Sequence, residues 1–223
     1  MTTLLIADDH PLFREALRGV ALRLLPDAII READSVAALH AMVDAEADAD
    51  LLLLDLNMPG AHGFSALVHL RAMHPQLPVV MVSGREEPET MRRALDHGAM
   101  GFIPKSSDAA TLATALQRVL EGERWVPEGA LSAPPTPEPE RAIAARIREL
   151  TSQQFRVLQM LGSGLLNKQI GYELGVTEAT IKAHMSAILR KLGASNRTQA
   201  VLLAGKLQVD PDTVVPPDDE DTG

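Results

Sequence analysis

Apolar residues in the first half of the chain fall into two alternating patterns, short unbroken runs and helical repeats. The run TLLIA at positions 3–7 ends at Asp8–Asp9. After Pro11, the residues Leu12, Phe13, Ala16, Leu17, Val20, Ala21 and Leu24 recur at helical spacing. The alternation then repeats. Strands are predicted over 28–31, from Leu51, over 78–82 and over 101–103, with helices over 35–47, 64–73, 88–97 and 108–121. Strands alternating with helices in this way predict a parallel, doubly wound α/β sheet with right-handed crossovers.

The third strand carries the densest signal. In LLLLDLNMPG (51–60) an aliphatic run reaches one carboxylate, Asp55, and stops at turn residues, as a strand buried on both faces does. Groups at the carboxyl ends of such strands lie where open α/β sheets bind ligands. Here those groups are Asp8 and Asp9, Asp55, Ser83 and Lys105. Taken singly, each has a plainer reading: a helix cap, a turn former, a solvated lysine. Their coincidence at successive strand ends is what points to a site. If strands one and three are neighbours, as in the flavodoxin-like order 2-1-3-4-5, the three carboxylates meet at the switch point. Three acids so close repel unless a hard divalent cation lies among them, and Mg2+ is the natural candidate. Asp55 would then be a nucleophile whose acyl phosphate is stabilised by the metal, by Lys105 and by the Ser83 hydroxyl.

Composition narrows the function classes. The chain has no cysteine, which excludes disulfides and thiolate metal sites and leaves Asp, Glu and His as ligands. No apolar run approaches the eighteen or so residues of a membrane span, and the N-terminus has no basic n-region, so a cytoplasmic location with no membrane partner is expected. The net charge of −9 is unevenly spread. Residues 151–208 hold seven bases against two acids, whereas 209–223 hold six acids and no base. A basic block inside an acidic chain predicts a polyanion partner for that block alone.

Between the halves, residues 127–139 carry five prolines and read as a semi-extended spacer with little core, so the halves are expected to be loosely joined. A short helix is predicted over 140–149, with Ile143, Ile147 and Leu150 as its apolar positions and its arginines on a solvated face. Further on, Thr151 and Gln154 form a capping box for a helix carrying Phe155, Val157, Leu158 and Leu161. A helix from Asn167 to Leu174, closed by Gly175, leads through a short turn to a longer helix capped by Thr177 and stopped by Gly193. That is the helix-turn-helix signature. Ile181, Met185, Ile188, Leu189 and Leu192 share one face of the longer helix. Ala179, Ala183, Ser186 and Arg190 occupy the other, flanked by Lys182 and Lys191, which suits a major groove of double-stranded DNA.

The set IADDHP, LLLLDLNMPG, VVMVSG and GFIPK resembles the receiver domain of two-component response regulators, over residues 1 to about 122. The resemblance implies that Asp55 accepts phosphate from a histidine kinase. It implies that Asp8, Asp9 and Asp55, with the backbone carbonyl of Asn57, hold Mg2+. Ser83 and Lys105 match the phosphate-contacting positions, and Phe102 the aromatic position whose rotamer follows phosphorylation. Residues 147–208 resemble the LuxR-type helix-turn-helix of NarL/FixJ-like regulators, through Asn167–Lys168–Gln169–Ile170, Glu173–Leu174–Gly175–Val176, Thr180–Ile181–Lys182–Ala183–His184 and Arg190–Lys191–Leu192. By that resemblance Lys182, Ala183 and Ser186 meet bases, and Asn167, Lys168 and Thr180 approach phosphates. Gln154 stands for a usual Glu and Gly171 for a usual Ala, the latter at about 1 kcal/mol of helix stability.

The expected organisation is therefore a receiver over 1–124, a Pro-rich linker over 125–146, a four-helix DNA-binding domain over 147–208 and an acidic disordered tail over 209–223. The expected function is a phosphorylation-switched transcriptional regulator, a homodimer when phosphorylated, and no enzyme beyond its own phosphorylation and dephosphorylation. The alternative is a phosphorylation-independent regulator that uses its receiver only to dimerise. Phosphatases of the haloacid dehalogenase kind need a second Asp two residues after the nucleophile, and Asn57 stands there instead.

Overall fold

β1 (Thr3–Ala7), β2 (Ile29–Ala33), β3 (Leu51–Asp55), β4 (Val79–Ser83) and β5 (Gly101–Pro104) form one parallel sheet in the order β2-β1-β3-β4-β5. The structure is a computed structural model that describes residues 2–59 and 63–208. Every residue of β3 and β4 is buried, as the aliphatic runs demand of strands covered on both faces. Alternate side chains feed two cores. Leu4, Ile6, Leu51, Leu53, Val80 and Val82 pack with α1 (Pro11–Leu24) and α5 (Ala109–Leu120). Leu5, Leu52, Leu54, Met81 and Phe102 pack with α2 (Val36–Ala45), α3 (Ser65–Met73) and α4 (Pro88–Asp96). Elements meet their sequence-predicted bounds within a residue or two, and Ser35 and Asp108 are side-chain N-caps of α2 and α5. β2 runs two residues beyond its predicted end at position 31 because it pairs with β1 as far as Ala7↔Ala33.

Trp125 closes the outer edge of the sheet. Its backbone pairs with Gly101, taking a hydrogen bond at its carbonyl from Phe102 N (3.2 Å) and donating one to Met100 O (2.9 Å). A Cβ on Gly101 would lie 2.8 Å from Trp125 Cβ, so only glycine permits this approach.

The connector differs from the loose spacer that its prolines predict. A 3-10 turn (Ala130–Ser132) packs on α4, and Ala130, Ala133 and Thr136 are buried. Proline removes backbone donors but leaves the small side chains between free to pack. Helix α6 (Glu138–Arg148) starts earlier than predicted and lays Ile143, Ala144 and Ile147 against α3. Helices α7 (Ser152–Gly162), α8 (Asn167–Leu174), α9 (Glu178–Leu192) and α10 (Arg197–Gly205) complete the second half, with the Thr151–Gln154 capping box in place. Their core is continuous with the α2–α3–α4 side of the sheet. Residues 209–223, where the acidic tail falls, lie outside the described residues.

Candidate functional site

The parallel register brings the ends of β1, β3, β4 and β5 to one edge. Asp8 follows β1, Asp55 and Ser83 end β3 and β4, and Lys105 follows β5 with its backbone N donating to Ser83 O (2.8 Å). Asp8, Asp55 and Ser83 are buried and Asp55 is only 3% exposed. The Lys105 ammonium sits 2.7 Å from Asp8 Oδ2 and 3.3 Å from Asp55 Oδ2. Burial pushes the Asp55 carboxyl above the usual carboxylate range; Lys105 opposes the shift and the Asp8 charge adds to it. Ligand atoms of Asp8, Asp9, His10 and Asp55 all lie within 4.8 Å of one another. Asp55 Oδ1 is buried with no hydrogen-bond partner among the described residues. The three carboxylates of this set, one of them buried with an unsatisfied oxygen, suit a hard divalent cation. A cavity of about 520 Å³ opens above, lined by His10, Leu12, Phe13, Asn57, Gly84 and Lys105, so Asn57 lies at its rim. Ser83 Oγ accepts from Arg85 N (3.1 Å), and Phe102 is fully buried one strand away.

In the second half, the apolar stripe Ile181, Met185, Ile188 and Leu192 is buried, which turns Ala179, Lys182, Ala183, Ser186 and Arg190 outward, all exposed. Asn167 and Lys168 begin α8, Asn167 half-buried and Lys168 exposed, and half-buried Thr180 hydrogen-bonds Thr177 Oγ1 through its N–H (3.2 Å). Lys182 pairs with Glu178 one turn earlier (2.9 Å). Arg146 does not join this face. It donates to Leu192 O (2.7 Å) and so fixes α6 to the end of α9.

Comparison with known proteins settles the family. A model of the response regulator receiver domain matches residues 4–117, and a model of the luxR family of bacterial regulatory proteins matches residues 148–204. The chain belongs to the LuxR-type response regulators. It is 40% identical over 213 residues to the glycerol metabolism activator of Pseudomonas putida, covering 93% of this chain and 96% of that one. It is 31% identical over 204 residues to the nitrate/nitrite response regulator NarL of Escherichia coli K12, covering 90% and 93%. In fold it is similar to RcsB of Salmonella enterica serovar Typhimurium, solved on promoter DNA with the phosphomimetic BeF3−, at a TM-score of 0.53 and 23% identity over 93% of this chain and 99% of that one. No helix among the described residues is long and apolar enough to cross a membrane.

This response regulator also has contacts that its sequence did not foreshadow, and they join its two halves. Glu140 of α6, itself buried, has its Oε1 2.9 Å from Arg93 Nε and 2.7 Å from His97 Nε2, both at the end of α4. Asp96 accepts from Thr136 N (2.8 Å) and Oγ1 (3.0 Å). Arg93 also donates to Gln208 O (2.8 Å), and Phe64 N to Leu207 O (2.9 Å), so the end of α10 is held as well. Nearby, His69 of α3 stacks on Phe155 of α7 at 4.1 Å between ring centroids, and His40 of α2 meets both rings edge-on. An acid on the apolar face of α6, beside Ile143, Ala144 and Ile147, and histidines among the apolar positions of α2 and α3 were the available signals. Neither names its partner.

Proposed function

We propose that this response regulator is a DNA-binding transcriptional switch set by phosphotransfer from a histidine kinase to Asp55. One observation carries the reading: a buried carboxylate at the end of the central strand, with a second aspartate and a lysine ammonium converging on it. An Asp55 carboxylate oxygen attacks the phosphorus of a kinase phosphohistidine, the P–N bond breaks, and the leaving imidazole takes up a proton. Asp8, Asp9 and Asp55, with the Asn57 carbonyl, would hold Mg2+, which supplies positive charge against the phosphoryl oxygens. Lys105 and the Ser83 hydroxyl contact the remaining phosphoryl oxygens, and Phe102 follows Ser83. The acyl phosphate persists because Asn57 offers no acid or base to hasten attack by water.

On the DNA side, α9 enters the major groove with Lys182, Ala183 and Ser186 towards base edges and Arg190 beside them. Asn167, Lys168 and Thr180 hold phosphates. A phosphorylated homodimer would read two half-sites about one helical turn apart. The test is incubation of the full chain with acetyl phosphate and Mg2+, followed by intact mass. One phosphoryl group that is lost in Asp55→Ala supports the switch. No adduct, or one that survives that substitution, rejects it and favours a regulator that uses its receiver only to dimerise.

A further inference from the structure

Lys105 has to reach the phosphoryl group from a long, flexible stem, and such ammonium groups tend to stretch towards water. Here the side chain is only 18% exposed, although it stands at the mouth of the open cavity. Asp8 and Asp55 account for two of its contacts. A third comes from Phe13, whose ring centroid lies 4.8 Å from Lys105 Nζ. Phe13 stands on the first turn of α1, where Pro11 sets the entry of the helix and Arg14, one residue on, donates to Asp8 O (2.6 Å). The ring is therefore fixed to the same backbone that supplies the acidic cluster, and it lines the cavity through which a phosphoryl donor arrives.

We propose that Phe13 is a positioning residue for phosphotransfer, holding the Lys105 ammonium over the pocket through its ring face. The electron-rich face attracts the cation without donating or accepting a hydrogen bond. All three ammonium hydrogens thus stay available, first to the carboxylates and then to the phosphoryl oxygens. The ring also covers one side of the ammonium against water, which strengthens its field at Asp55. A carboxylate in that place would compete with the phosphate for the cation, and an aliphatic side chain would exclude water but not attract it.

This inference rests on Asp55 being the phosphoacceptor, so its test has a readout that does not depend on phosphorylation. The full chain, Phe13→Leu and Phe13→Tyr are compared for their rate of phosphorylation by acetyl phosphate and Mg2+. Lysine-selective NMR follows the ring-current shift of the Lys105 ε-methylene protons. Phe13→Leu should react about fivefold more slowly, the size of one partly desolvated cation–ring contact, and should lose the upfield shift. Phe13→Tyr, which keeps the ring, should stay within about twofold of the unsubstituted chain and keep the shift. A Leu variant as fast as the unsubstituted chain, a Tyr variant as slow as Leu, or an unshifted Lys105 in the unsubstituted chain would each overturn the proposal. If the unsubstituted chain takes no phosphate, the phosphoacceptor reading fails, and the NMR shift alone still decides whether Phe13 holds Lys105.

Discussion

Acidification should loosen this protein through two histidines that lie far from the phosphoacceptor pocket. His40 and His69 are 6% and 0% exposed, and His40 Nε2 lacks a hydrogen-bond partner among the described residues. Burial lowers His40 from 6.5 to about 4; Asp44 opposes the shift, and Arg156 and His74 reinforce it. Burial lowers His69 to about 3, helped by the charges of His40 and His74 and opposed by the Ile147 backbone. Both rings are therefore neutral in the docked chain and protonate readily only once exposed. Their stabilising neutrality is fully present above pH 6.5 and is lost as the pH falls from 6.5 towards 4. Within that window each histidine costs about 1.4 kcal/mol per pH unit, so at pH 5.5 the pair removes about 3 kcal/mol. Against a domain stability of roughly 5–15 kcal/mol this is a large fraction. Urea denaturation of the full chain at pH 7.5 and 5.5 reads it directly, as a midpoint lowered by about 1–2 M at ordinary m-values. The double substitution His40→Leu/His69→Leu keeps the contacts apolar, leaves every other titrating group in place and should abolish most of the loss. An unsubstituted chain that is equally stable at both pH values, or a double variant that loses as much, would refute the reasoning.

Three further outcomes follow from particular contacts. Glu140→Gln keeps the shape of the clasp but removes the charge facing Arg93 and His97; it should weaken docking by about 2 kcal/mol, seen as faster proteolysis within 121–137, and unchanged cleavage would count against the clasp. Gly171→Ala should not bring the stabilisation of about 1 kcal/mol usual for a helix interior, because its Cβ would lie 2.9 Å from Val176 O; a raised melting temperature would disprove that close approach. Lys182→Ala should cost about 1–3 kcal/mol of sequence-specific DNA affinity while the helical circular dichroism stays unchanged, and retained operator selectivity would show that α9 is docked wrongly.

What was legible in the sequence is what local chemistry decides. The strand order followed from the βα alternation together with the placement of acids at the ends of strands one and three. The capping residues Thr151 and Thr177, read from the sequence, each accept from the backbone amide three residues on. The apolar stripe of α9 predicted its exposed face except at Lys191, which is half-buried and donates to Glu149 O and Gln154 Oε1 (2.7 Å each). The proline-rich connector misled because proline content reports backbone freedom, whereas the packing of Ala130, Thr136 and Glu140 depends on α4, a partner some forty residues away in sequence. Gly171 misled in the same way. As a helix residue it looks costly, but the turn that follows presses Val176 O against it. Phe13 was legible as a core position of α1, and its second contact with Lys105 spans the whole of the sheet's sequence.

The two sets of contacts constrain how the pocket and the DNA-facing helix are coupled. Lys182, Ala183, Ser186 and Arg190 are open to solvent in this arrangement. What the first half does hold is the other side of the second half: α6, the start of α7 and the end of α10. Those grips come from α3 and from the far end of α4, whose near end follows the β4 strand that carries Ser83 and which packs on β5, the strand of Phe102. A change at Ser83 and Phe102 that shifts α4 must therefore act on Arg93, Asp96 and His97 together, because a helix nine residues long moves as one body. Its direct effect falls on how firmly the halves are joined.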